Sequence, residues 1–155
     1  MILRTTIGRI RVTLTIARIA KVIGVNSELE DGRHILMWDF DDVPLDIVKD
    51  SLKKMQTRYW LSAIHICRTK KPDNYNAYCF SSQDWRTACE IVASTQNVDW
   101  QFFRFGVYRG HFTLRVTPKN GRMIKLADRL EGLCLPDCKP EDLKSWVRYE
   151  TLNWR

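Results

Sequence analysis

Apolar and polar positions change period along this chain, and those changes mark its elements. From Arg9 to Ile16 the two classes alternate strictly, Ile10, Val12, Leu14 and Ile16 against Arg9, Arg11, Thr13 and Thr15. A period of two puts the classes on opposite faces, which predicts a half-buried strand with a basic outer face. The Arg-bearing, acid-poor start would also suit a transit peptide, but strict alternation favours folded structure. Ser27 to Arg33 is a polar loop. His34 to Asp42 is a short apolar run ending in three acids, read as a strand on which Ile35, Met37, Asp39 and Asp41 share a face. After Pro44 the period lengthens. Leu45, Val48, Leu52 and Met55 recur at helical spacing, with the proline in the first turn.

Trp60 to Arg68 and Tyr75 to Ser81 predict two strands of a hairpin joined by the basic turn Thr69-Lys-Lys-Pro-Asp-Asn74. Asp84 caps a second helix whose buried stripe is Trp85, Ala88, Cys89 and Val92. Trp100 to Tyr108 and His111 to Thr117 read as two further strands around Arg109-Gly110. In the last of them Phe112, Leu114 and Val116 point one way, and His111, Thr113, Arg115 and Thr117 the other. A helix is predicted near Pro140 to Tyr149.

The order β-α-β-β-α-β, plus one strand, gives an α+β fold class and the split βαβ layout of ferredoxin-like and RNA-recognition (RRM-like) folds. In it an antiparallel sheet carries two helices on one face and leaves the other open. The 155 residues suit a single domain, 1–155, with its core over 34–119, an N-terminal basic strand region over 1–33 and a C-terminal extension over 120–155. Asp39 and Asp41 would then share the open face with His111, Thr113 and Arg115.

Charge changes the picture next. A net charge of +7 and a pI near 9.3 favour an anionic partner, nucleic acid first and a membrane surface second. No stretch is long and apolar enough to span a bilayer, so no membrane-embedded role is expected. Five cysteines, an odd number in no framework spacing, point to a reducing, intracellular and cytoplasmic setting. Cys134 and Cys138 would supply two metal ligands, but no second pair stands at zinc spacing.

Two carboxylates at the end of one strand repel each other unless a cation sits between them, and hard divalent ions take such oxygen ligands alongside substrate phosphates. The plainer alternative is a solvated acidic turn that caps the next helix through Asp42. Asp39-Phe-Asp41 closing the first strand, a polar motif in the following hairpin and a lone acid after the second helix resemble the palm of archaeo-eukaryotic primases and primase-polymerases. Phe103 to Arg115 is similar to the hairpin that follows the third acid in small members of that family. The resemblance covers residues 34–119 and rests on order and spacing. It implies Asp39, Asp41 and Asp99 as catalytic ligands of two Mg²⁺ or Mn²⁺ ions, and Asn76, Lys70, Arg115 and His111 as nucleotide contacts. Lys71, Arg104, Arg109 and Lys119 would meet nucleic acid. Where the family carries a histidine that touches the nucleotide phosphates, this chain has Asn76, which can donate a hydrogen bond but carries no charge.

The reading that follows is a primase-like nucleotidyltransferase or replication protein, acting on single-stranded nucleic acid with nucleotides and a possible replication partner protein. A non-catalytic nucleic-acid-binding module on an RRM-like fold is the alternative, and an assembly protein that retains the fold is a third. The clustered acids discriminate among them, because a surface that only binds polyanions gains nothing from negative charge.

Overall fold

The computed structural model describes all residues except 1, 17, 70, 71, 119–122, 144, 145, 154 and 155, and gives the backbone alone at 2, 15, 18–21 and 146–153. In chain order the elements are β1 (Ile2–Ile7), β2 (Ile10–Thr15), β3 (Arg18–Asn26), β4 (His34–Phe40), α1 (Leu45–Tyr59), β5 (Ile64–Arg68) and β6 (Tyr75–Gln83). They continue with α2 (Trp85–Ser94), α3 (Trp100–Arg109), β7 (Thr113–Arg115), β8 (Lys125–Leu130) and β9 (Trp146–Asn153). The class is mixed α+β, with antiparallel strand pairs and, among the described residues, three α-helices.

Contacts divide the chain into two compact units, one of residues 1–22 and 148–155, the other of Ile23–Val147. The first holds the β1–β2 hairpin together with the early part of β3 and most of β9. Pairing of Leu3 with Leu14, Thr5 with Val12 and Ile7 with Ile10 puts the apolar set on one hairpin face and Arg4, Thr6, Arg11 and Thr13 on the other. The alternation therefore predicts the strand correctly. It does not predict burial: Ile10 is 68% and Leu14 55% exposed, so both faces of the hairpin meet solvent.

The second unit contains the main sheet, in the order β4-β6-β5-β8. The chain leaves β4 through α1 and returns as β5, with antiparallel β6 between the two. Val48, Leu52 and Met55 of α1 and Ala88 and Val92 of α2 are buried in the sheet's core, as helical spacing predicts. Leu45, Trp85 and Cys89 of the same stripes are half-buried, and Ile91, outside the predicted stripe, is buried. Asp84 caps α2 as expected, accepting the Thr87 amide at 3.0 Å. Trp38 is fully buried and donates its indole N–H to Thr95 at 2.9 Å, tying β4 to the end of α2. Asp42 does not cap α1. Pro44 holds the N-cap position without a side-chain bond, and Asp42 instead takes a left-handed turn at φ 58°.

Several elements differ from expectation. Trp100 to Arg109 is helix rather than strand. Its aromatic residues favour strands, but Asp99 caps its start and Gly110, at φ 78°, ends it in the left-handed conformation glycine adopts without a steric penalty. Of the last predicted strand only Thr113–Arg115 forms, pairing with Asn26, Val25 and Gly24 of β3 instead of joining the main sheet. Phe112 and Leu114 are buried as their alternation requires. The C-terminal helix is replaced by a short 3₁₀ turn, Pro140–Asp142, and by β9, while β8 adds an unexpected edge strand beside β5.

The sheet face away from α1 and α2 is not open at β4. Ile35 and Met37, predicted to lie on it, are fully buried, and only Asp39 on that side of the strand keeps partial exposure.

Candidate functional site

Asp39 stands near the C-terminal end of β4, where the strand's buried pattern breaks. The Asp99 amide donates to the Asp39 carbonyl at 2.8 Å, which fixes the start of α3 against the end of β4. Asp99 is also the α3 cap, its carboxylate accepting the Phe102 amide at 2.6 Å. The turn at Gly110 then brings His111 and Thr113 back to the same place. The result is a cleft of about 170 Å³ lined by Asp39, Asp99 and His111, and by Gln101, Phe105 and Arg109 of α3.

Close approach of α3 makes this geometry possible. Gly106 is buried, and a Cβ there would lie 2.2 Å from the Phe112 ring. Phe112 itself touches Phe102, Trp85 and Phe103 at ring separations of 5.2, 5.0 and 6.3 Å. Arg109 lies over the Phe105 ring at 5.6 Å, which holds the guanidinium at the cleft rim.

Asp41, the other acid of the expected triad, is absent from this cleft. The left-handed turn at Asp42 carries it towards Asn74, whose buried amide donates to the Asp41 carboxylate. The Val43 amide donates to the Asp73 carbonyl at 2.8 Å and fastens the two turns together. Asn76 does sit opposite Asp39 in the sheet register. It is only 5% exposed and hydrogen-bonded to Tyr78, whose phenol burial pushes far above its ordinary range. A nucleotide phosphate would find little of the Asn76 side chain to contact.

Arg115 is half-buried, and its guanidinium donates to the Thr117 and Pro118 carbonyls at 3.2 and 2.9 Å, so it is spent on its own chain rather than offered to phosphate. Arg104 is exposed on α3, near the cleft but outside its lining. Lys70, Lys71 and Lys119 lie outside the described residues. Cys134 and Cys138 do not form a metal pair: their thiols donate to the Trp60 and Phe80 carbonyls at 3.1 and 3.6 Å. Burial, helped by Asp142 and Asp137, pushes the Cys138 thiol up to about 11.

Two metals held by Asp39, Asp41 and Asp99 do not fit this arrangement, because the third carboxylate is tied away. Among the described residues no group of three histidine, cysteine or acidic side chains gathers about one point. A single hard cation would need only one or two carboxylates, since Mg²⁺ completes its shell with substrate phosphate and water, and Asp39 and Asp99, which line one cleft, are the residues that would hold it. The lining from Gln101 and Phe105 is what strand reasoning missed. The signal for it was in the chain, as Asp99 and Gly110 bracket a ten-residue stretch with helix-start and helix-stop chemistry.

Behind the cleft, His34 is 4% exposed, bonds the Ser27 hydroxyl at 3.0 Å and packs on Trp85 at 4.8 Å. Burial pulls its pKa below the ordinary histidine value, with Glu28 acting the other way. The folded state therefore resists a proton that the unfolded chain accepts near pH 6.5. That contribution is present in full above this pH and is lost as pH falls below it. Burial shifts His65 in the same direction, with Arg129 adding to it. We expect the melting temperature to fall between about pH 7.5 and pH 5.5, and His34→Gln to shrink that fall. An equal fall in the variant would assign it to other groups.

Comparison with protein-family models, curated proteins and solved structures finds no match to this chain.

Proposed function

We propose that this chain is a nucleic-acid-processing protein of primase-like type, built on a ferredoxin-like palm, whose cleft takes a nucleotide phosphate for nucleotidyl transfer. The observation that carries the reading is the meeting of Asp39, Asp99, Arg109 and His111 in one cleft. The α1 connection between β4 and β5 around β6 supports the palm, being the split βαβ arrangement. A divalent ion bound to Asp39 and Asp99 would supply charge neutralisation at the phosphate. The chain's own residues do the rest. Arg109 offers a planar set of donors suited to phosphate oxygens, His111 a ring N–H beside it, and Phe105 an apolar wall for a base or sugar.

A second reading, a binding module without catalysis, draws on the tie between Asp41 and Asn74, which leaves the cleft one carboxylate short of a two-metal set. Titrating a nucleoside triphosphate with Mg²⁺ separates the readings. Asp39→Ala should weaken binding about tenfold or more, as expected for a lost charged partner, while Asp41→Ala should leave it unchanged. Wild-type protein that ignores both nucleotide and metal would favour the binding module.

A further inference from the structure

The outer face of α3 is unusual for a surface helix. Trp100 and Tyr108 are 64% and 88% exposed, and Phe105 on the neighbouring ridge is 51% exposed. At helical spacing Trp100, Arg104 and Tyr108 form one ridge, and Gln101, Phe105 and Arg109 form a parallel ridge beside it. The second ridge borders the cleft, since Gln101, Phe105 and Arg109 all line it. Neither ridge contains an acid, so the face presents aromatic rings separated by guanidinium groups.

Burial cannot account for these rings, because the core side of α3 is occupied by Phe102, Phe103 and Gly106 against Phe112. Exposed aromatics spaced by arginines suit one ligand chemistry particularly well. Bases of a single strand stack on flat rings, and the phosphates between them meet the cations. An anionic bilayer would also attract arginine and tryptophan, but it offers no flat partners for the ring faces. A second copy of this chain would bring a second set of the same arginines to a face that holds no acid to neutralise them.

We propose that the outer face of α3 is a stacking platform for single-stranded nucleic acid, which runs along the Trp100 and Tyr108 ridge and ends at the cleft. The proposal deepens the function proposed above by placing the polymer, and only the point where the strand ends rests on that function. Stacking makes the platform tolerant of sequence, and the flanking arginines make it sensitive to salt.

The test measures anisotropy of a labelled 15-nucleotide oligothymidylate, without nucleotide or divalent metal, against the full chain. Trp100→Ala and Tyr108→Ala should each weaken binding about tenfold, within the range for one lost stacked base. Trp60→Ala, at an exposed tryptophan away from α3, should not change it. An abasic oligomer of equal length should bind the wild type at least as weakly as the oligothymidylate binds the Trp100 variant, because it loses stacking on both rings. Equal affinity of the wild type for both oligomers would overturn the proposal, because charge alone would then carry the binding. So would full oligothymidylate affinity in both α3 variants, or α3 variants that lose only self-association or adhesion to phosphatidylserine vesicles. If the nucleotide titration fails while the α3 variants still lose the strand, the cleft reading falls and the platform stands.

Discussion

Phe112→Ala should cost about 3–5 kcal/mol of folding stability, the range for deleting a fully buried aromatic ring, and should disorganise the cleft at the same time. Phe112 has no exposed surface and lies within ring contact of Trp85, Phe102 and Phe103. Its amide donates to the Ser27 hydroxyl at 3.0 Å, and the same hydroxyl bonds His34. Its ring therefore joins α2 and α3, and its main-chain amide reaches β4 through Ser27 and His34. Truncation leaves α3 without a floor, and Gly106, shaped to clear the ring, then faces a void. Denaturant unfolding measures the loss directly. Gly106→Val approaches the contact from the other side and should cost about 1–3 kcal/mol by overpacking. A loss below about 1 kcal/mol for Phe112→Ala would mean that α3 does not depend on this ring.

Periodicity makes much of the fold legible, and it fails where two signals compete. Strands β4 and β6 and helices α1 and α2 follow from alternation, helical spacing and the Asp84 cap, while of the strand read from Trp60 to Arg68 only Ile64–Arg68 forms, because Trp60 ends α1 in a left-handed turn. Helix α3 is hidden because Phe103, Phe105 and Val107 also alternate, and aromatic residues favour strands. The caps at Asp99 and Gly110 and the packing on Phe112 decide the matter, and packing is not visible in a single chain. Strand β8 escaped because Lys125 to Leu130 has no clean apolar face; Leu126 is 63% exposed at the sheet's edge. For the site, alternation alone puts Asp39 and Asp41 together. It takes no account of the strand ending at Phe40, after which the left-handed turn at Asp42 sends Asp41 to Asn74. Arg109 and His111 arrive beside Asp39 through the α3 helix that the sequence reading did not contain.

Activity is where the largest change is expected. If the cleft performs nucleotidyl transfer, Asp39→Asn removes one of the two carboxylates that line it with Arg109 and His111 among the described residues, while preserving shape. Bound metal contributes several kcal/mol of charge stabilisation, and every 1.4 kcal/mol is tenfold in rate, so the loss should reach about a hundredfold or more. Asp41→Asn is the informative companion. It has the same chemistry two residues away, on the strand end that the resemblance to primases would place in the same metal site. The measurement that tests the central claim is primer extension on a single-stranded DNA template with Mg²⁺ or Mn²⁺, comparing wild type, Asp39→Asn and Asp41→Asn. The account predicts extension by the wild type, near-complete loss in Asp39→Asn and retention in Asp41→Asn; equal loss in both variants, or no extension by the wild type with either metal, would contradict it.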